Sequence, residues 1–356
     1  MARAGLDTYT PYSRVGRALK AFFQVTSPVW ATLNTGSHVH LRTAGAAQIE
    51  QLVKQRTGEP NPLFAMSIGT AGEYRKLTLQ AMTPSGQVLG FLKIALTLGA
   101  EARIRAEASA LHLLSTSRDL DGCVPKVIFA GDHGGQFVLF QTAGPKRASS
   151  KFFTSTHKEF LTKLGGVQPC TRVGSDIVAE VSSEWEHSDL RNIPEWRRLA
   201  ERALSCARAL TNGDVACGIA HGDFTPWNMR PMQSGLYVFD WESMSVRSPL
   251  VWDEFHFRAQ TMSLLGCGER SHDFSAFFED QPTPMSLGLL ILYLLRSSAH
   301  LLGEQRNHRH PGITRRLAWI SSLLRHVTAK GRIPERDWDV FPSQCTEKRI
   351  CSSEGD

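Results

Sequence analysis

The stretch Ala220-His221-Gly222-Asp223-Phe224-Thr225-Pro226-Trp227-Asn228 constrains this chain more than any other part of it. Two short apolar segments flank it, Val215 to Ala220 and Gly235 to Phe239, and the second runs into Asp240-Trp241-Glu242. Phosphoryl transfer from a nucleoside triphosphate needs a carboxylate to orient the attacking hydroxyl and take its proton, and oxygen ligands for the Mg²⁺ that bridges the phosphates. Asp223 and Asn228, held on one rigid loop, have the spacing to serve both ends of that geometry. The same residues also fit a polar loop with a buried histidine and an Asx turn, so the motif needs support from elsewhere. Asp240 gives some. A carboxylate at the mouth of a buried strand costs desolvation unless it pairs or binds a cation, and a second Mg²⁺ ligand is its natural use. Glu242 is either a further group beside that cation or a surface salt bridge.

The N-terminal half supplies an independent test. From Asn61 the pattern reads as three strands: Pro62 to Ile68, Tyr74 to Met82 and Gln87 to Leu96, joined by the turns Gly69-Thr70-Ala71-Gly72 and Thr83-Pro84-Ser85-Gly86. In the second strand Leu77, Leu79 and Ala81 alternate with Lys76, Thr78 and Gln80. In the third, Leu92, Ile94 and Leu96 share one face, and Lys93 lies on the other with Phe91 and Ala95. A helix from about Glu101 to Leu114 places Glu107 on the same stripe as Ile104, Leu111 and Leu114. Lys93 and Glu107 are thus charges of opposite sign at apolar positions, and each satisfies the other. The bland alternative has Lys93 snorkelling and Glu107 on the edge of the stripe.

Two more strands are expected at Lys126 to Ala130 and Gln136 to Gln141. The rest is mainly helical: Ile193 to Thr211, with Pro194 in its first turn, then Pro249 to Leu265, Pro284 to Leu302 and Gly312 to Thr328. In the last, Ile313, Leu317, Ile320, Leu324 and Val327 form a core stripe. A β-rich lobe followed by a helical lobe is an α+β layout with a cleft between them.

His-Gly-Asp-x-x-x-x-Asn followed by a strand ending Asp-Trp-Glu resembles the aminoglycoside phosphotransferase and choline kinase superfamily, relatives of the protein kinases. The resemblance covers roughly residues 61–330 and implies a bilobal protein kinase-like fold with ATP and Mg²⁺ as cofactors. It assigns the catalytic base to Asp223, metal ligation to Asn228 and Asp240, and support of the loop to His221. Lys93 and Glu107 are similar to the pair that orients the α- and β-phosphates in kinase-like folds. Gly69, Thr70, Ala71 and Gly72 would cover the triphosphate with backbone N–H groups, without the full glycine triplet of protein kinases. Gln141 and Thr142 follow the fifth strand, where a hinge presents backbone groups to adenine. Asp253 resembles an aspartate that braces the catalytic loop.

Expected domains are an N-terminal extension without assigned role (1–60), a β-rich nucleotide-binding lobe (61–142), a helical catalytic lobe (143–340) and a disordered tail (341–356). The net charge of +6, from 40 basic and 34 acidic residues, suits anionic ligands but is too small to imply nucleic acid. Seven cysteines without C-x-x-C spacing argue against a disulfide framework or zinc site and for a reducing compartment. No apolar region follows the basic N-terminal residues. The most apolar stretch, Leu287 to Leu295, is too short to span a bilayer and reads as a buried helix. A cytoplasmic location is expected. The patch His308, Arg309, His310 lacks metal-ligand spacing.

These features describe a small-molecule kinase with a hydroxyl acceptor. A protein kinase is disfavoured by His-Gly-Asp in place of His-Arg-Asp, by the missing Ala-Pro-Glu, and by the short interval from Asp240 to Asp253. A nucleotide-binding regulatory module would be signalled by loss of Asp223, Asn228 or Lys93, and all three are present. Acceptor specificity is expected from Phe152 to Arg191 and Gly266 to Pro284. Their carboxylates are too nearly balanced by basic residues for a polycationic aminoglycoside, which favours a neutral or anionic sugar or amino alcohol.

Overall fold

The computed structural model describes residues 46–69, 72–265, 274–303 and 311–330. Thr70, Ala71, the patch His308–His310 and the 341–356 tail lie outside them.

Strands β1 (Leu63–Ile68), β2 (Lys76–Met82), β3 (Val88–Ala95), β4 (Val127–His133) and β5 (Gln136–Gln141) form one antiparallel sheet in the order β1-β2-β3-β5-β4. The alternation read from β2 and β3 sets its two faces. Leu77, Leu79, Ala81, Leu92 and Ile94 join Val138 and Phe140 against Leu52 and Val53 of α1 (Ala46–Thr57). This helix falls in the N-terminal extension to which no role was assigned, and it covers the outer face of the sheet. The opposite face presents Lys76, Thr78, Gln80, Phe91 and Lys93 to a cavity.

Helix α2 (Leu98–Leu114) begins three residues before the expected Glu101, because Thr97 caps it by accepting from the Ala100 N–H at 3.2 Å. Its stripe Ile104, Glu107, Leu111 and Leu114 is fully buried. The apolar members join Phe137 and Leu139 of the sheet to Phe160, Leu164, Phe224, Met229, Val238, Trp241 and Phe257 of the helical lobe. One core therefore crosses from lobe to lobe and fixes α2 against both.

The second lobe contains α3 (Ser155–Gly165), α4 (Gly174–Glu186), α5 (Pro194–Leu210), α6 (Trp252–Leu265), α7 (Pro284–Gly303) and α8 (Pro311–Lys330). Leu287, Leu290, Ile291, Leu292, Leu294 and Leu295 of α7 are all buried, packed with Ala203 and Leu204 of α5 and Leu323 and Leu324 of α8. Among the described residues no helix is long and apolar enough to cross a membrane. Strands β6 (Cys170–Val173), β7 (Asp214–Ala220) and β10 (Ser245–Pro249) form a second sheet in the order β10-β7-β6, and β8 (Met229–Pro231) with β9 (Leu236–Val238) a short hairpin. The expected helix start at Pro249 moves to Trp252, because Ser248 and Pro249 pair with Gly218 and Cys217 of β7.

Candidate active site

The loop between β7 and β8 turns sharply at Gly222, whose φ of +81° is left-handed and where a Cβ would fall 2.2 Å from the Ser243 carbonyl oxygen. Only glycine fits. From the first turn of α6, the carboxylate of Asp253 accepts from the N–H groups of His221 (2.6 Å) and Gly222 (3.0 Å). It is the brace that the sequence suggested. The His221 ring accepts at Nδ1 from the Asp223 N–H (3.1 Å) and its Nε2–H donates to the Phe239 carbonyl (3.0 Å). Its ring lies 4.5 Å from that of buried Trp241. The Phe239 N–H in turn donates to the Asn228 carbonyl at 3.0 Å. The two halves of the motif are thereby stitched together on either side of the hairpin.

Asn228 donates through Nδ2 to the carboxylate of Asp223 (2.8 Å) and to its carbonyl (3.0 Å). This fixes the amide so that its Oδ1 is the atom left for a cation. Asp240 has φ +70°, the one positive φ at a non-glycine residue among those described, a conformation that costs on the order of 1–3 kcal/mol. The turn delivers its carboxylate to Lys93 Nζ at 2.5 Å and within 3.6 Å of Lys76 Nζ. Lys93 also donates to both oxygens of Glu107 at 2.7 and 2.6 Å. Burial disfavours the Lys93 ammonium, but Asp240 and Glu107 together outweigh it and push its pKa above the ordinary lysine value. Burial likewise opposes charge on Asp240, and the two lysines hold it well below the usual carboxylate range. Glu107 is pushed up by burial against the pull of Lys93.

Carboxylate oxygens of Glu107, Asp240 and Glu242 all lie within 4.8 Å of one another. These are hard oxygen donors of the type Mg²⁺ takes. Glu242 is no surface group: it pairs with Lys76 and, at 3.4 Å, with Arg103, whose guanidinium stacks over Tyr74.

Two cavities meet these groups. The first, of about 670 Å³, is lined by Lys76, Lys93, Asp240, Phe239, Gln141 and the stretch Thr142 to Lys146. Gly69 and Gly72 close the β1–β2 connection at its edge of the sheet, Gly69 N–H donating to the Lys76 carbonyl. Thr142 lines this cavity, yet its N–H is spent on the Lys126 carbonyl and its own carbonyl accepts from Tyr237. The available hinge backbone thus begins at Ala143, one residue beyond the expected pair. The second cavity, of about 500 Å³, is lined by Asp223 and Glu242 and by residues of α6, α7 and α8, among them His256, Tyr293, Arg296 and Arg316. No residue of Phe152 to Arg191 lines it. Helix α3 turns His157, Phe160 and Leu164 inward, and α4 turns Ile177, Val178, Val181 and Trp185 inward, into the core.

Three participants escaped the sequence reading: Lys76, His256 and Tyr293. His256 Nε2 donates to Asp223 Oδ1 at 3.0 Å, and the Tyr293 hydroxyl meets His256 Nδ1 at 3.2 Å. Burial works against charge on Asp223, but the interaction with His256, its hydrogen bond foremost, outweighs it and holds the carboxyl below its ordinary value. A signal for His256 existed in its helical spacing from Asp253, one turn on along α6.

No family model matches the sequence, and no curated protein matches it either. Solved structures do. A thermostable mutant of the aminoglycoside phosphotransferase APH(4)-Ia superposes with a TM-score of 0.53 at 12% identity, covering 80% of this chain and 99% of that one. A ternary complex of such a mutant with AMP-PNP and hygromycin B gives 0.51 at 12% identity over 80% and 99%. The choline kinase LicA from Streptococcus pneumoniae gives 0.51 at 16% identity over 78% of this chain and 99% of its own. The chain has the bilobal protein kinase-like fold that aminoglycoside phosphotransferases and choline kinases share.

Proposed function

We propose that the protein is an ATP-dependent phosphotransferase that moves the γ-phosphoryl group to a hydroxyl of a small molecule. The observation that carries this reading is the contact of Lys93 with both Glu107 and Asp240, beside a loop on which Asp223 and Asn228 are hydrogen-bonded to each other. Every group that phosphoryl transfer needs is present and connected. The triphosphate occupies the larger cavity, with adenine against the hinge backbone that begins at Ala143 and the α- and β-phosphates on Lys93, which Glu107 holds in place. The backbone N–H of Gly72 is assigned to the phosphates, that of Gly69 being spent on the Lys76 carbonyl. Asn228 and Asp240 hold Mg²⁺, which when bound neutralises charge on the phosphate oxygens. Asp223 accepts the proton of the acceptor hydroxyl as its oxygen bonds to the γ-phosphorus and the bond to ADP breaks.

The acceptor lies in the second cavity, beside Asp223. Its other carboxylates are committed, Asp253 to the loop N–H groups and Glu242 to Lys76 and Arg103, while Arg103, Arg296 and Arg316 line the same space. Among the described residues, a polycation would meet no carboxylate there without a partner of its own beyond the base, Asp223. We therefore assign a sugar or an amino alcohol carrying no more than one positive charge, over a polycationic aminoglycoside. The segment from Ser245 to Pro249 is bound into the β7 sheet, which argues against the mobile activation segment of a protein kinase.

The test is ADP release with kanamycin-like aminoglycosides beside choline, homoserine and simple sugars. Turnover with a sugar or amino alcohol supports the reading. Efficient turnover of the aminoglycosides alone overturns the acceptor assignment, and Mg·ATP binding without turnover on any acceptor or water favours a regulatory module.

A further inference from the structure

We infer that His256 is a positioning residue for Asp223, and that with Tyr293 it forms a hydrogen-bonded chain aiming one carboxylate oxygen at the acceptor. The inference rests on the proposed phosphotransferase reading and deepens it. Asp223 is half in the open, its side chain 39% exposed, and a carboxylate so placed rotates freely unless both oxygens are held. Asn228 Nδ2 holds Oδ2 at 2.8 Å, and His256 Nε2 holds Oδ1 at 3.0 Å. The two donors come from different elements, the catalytic loop and α6, so they fix the plane of the carboxylate as well as its position. Each oxygen keeps a lone pair for the acceptor O–H.

Both ring nitrogens of His256 have assigned work. Nε2 must carry the hydrogen to donate to the carboxylate, which leaves Nδ1 to accept from the Tyr293 hydroxyl at 3.2 Å. Tyr293 is suited to donate: burial pushes its pKa up to about 12, so the phenol keeps its proton. The Gln260 carboxamide nitrogen also lies 3.0 Å from His256 Nε2, and the Gln260 amide oxygen is buried without a partner. Turning that amide over places its oxygen 3.0 Å from the Nε2–H, as a second acceptor beside Asp223 Oδ1. The side chains thus converge on one tautomer. His256 itself is held by the helix that carries Asp253, so the same element braces the loop backbone and orients its base. All four side chains, with Arg296 and Arg316, line the cavity assigned to the acceptor.

The role is tested by steady-state ATP hydrolysis with water as the acceptor, read as ADP release, on the wild type and the variants His256→Ala, His256→Gln and Tyr293→Phe. Expected is a fall of kcat of roughly tenfold or more for His256→Ala, in the range for loss of an orienting contact. The KM for Mg·ATP stays within about twofold, since the nucleotide cavity is untouched. His256→Gln, which keeps an N–H donor, restores much of the loss. Tyr293→Phe, a gentler change if the alanine variant folds poorly, lowers kcat in the same direction by less. Wild-type-like kcat in His256→Ala, or equal losses in the alanine and glutamine variants, overturns the role while leaving the kinase reading intact. No hydrolysis by the wild type on any acceptor overturns both.

Discussion

Lys93 and Asp240, 147 residues apart in the chain, are joined by a direct ion pair, and Lys93 simultaneously holds both oxygens of Glu107. One ammonium thus ties β3, α2 and the end of the β9 turn into a single charged unit at the wall of the larger cavity. Breaking a buried pair from one side leaves an uncompensated charge, at a cost of about 3–5 kcal/mol.

Lys93→Met and Glu107→Gln are each expected to lower turnover on the order of 100-fold, the scale of losing one preorganised electrostatic contact. The double variant is expected to be little worse than either single one, because the pair acts as a unit. The check is kcat/KM for Mg·ATP across the four-member cycle, normalised to folded protein. Full additivity would refute the coupling.

Asp223→Asn and Asp240→Asn are expected to fail differently. The first keeps the shape of the loop and the contact from Asn228, so Mg·ATP binding persists while turnover falls roughly 100-fold or more. The second removes the carboxylate between Lys93 and Lys76 and weakens Mg·ATP binding as well as turnover. Calorimetric titration with Mg·ATP beside rate measurements separates the two, and equal mild effects would contradict both roles.

Gly222→Ala is expected to cost about 1–3 kcal/mol of stability, since it places a side chain at a φ of +81° and against the Ser243 carbonyl. Turnover should fall with it, because the residue it displaces is the neighbour of Asp223. Urea unfolding of the variant, compared with Gly213→Ala, provides the control: Gly213 also has positive φ, but nothing lies within 4 Å of its added Cβ. Equal losses in the two would remove the steric argument.

His157 makes stability fall in acid. Burial pushes its pKa from 6.5 down to about 4, and Nδ1 accepts from Thr154 while Nε2 is enclosed without a hydrogen-bond partner. Between these values the unfolded chain binds the proton and the folded protein does not. The contribution is therefore complete above pH 6.5 and is lost as the pH falls toward 4, to a total of about 3 kcal/mol. Urea midpoints measured across that window should flatten in His157→Gln, and an unchanged slope would exclude His157 as the source.

The sequence by itself determined the parts of this protein that depend on short periods. Alternation in β2 and β3 put Lys93 opposite Leu92 and Ile94. The helical period put Glu107 among Ile104, Leu111 and Leu114, and the spacing of His221, Asp223 and Asn228 laid out the loop. Each follows from backbone geometry within a few residues. The apolar run from Leu287 to Leu295 was legible as a buried helix for the same reason. Tertiary structure alone decided which distant side chains meet. His256 reaches Asp223 from 33 residues away and Lys76 reaches Glu242 from 166 away, separations over which no local period carries information. It also decided that α6, α7 and α8, rather than Phe152 to Arg191, wall the second cavity, because α3 and α4 spend their apolar faces on the core. A side chain buried for packing and one aimed at a ligand look alike in sequence until the neighbours that cover it are known.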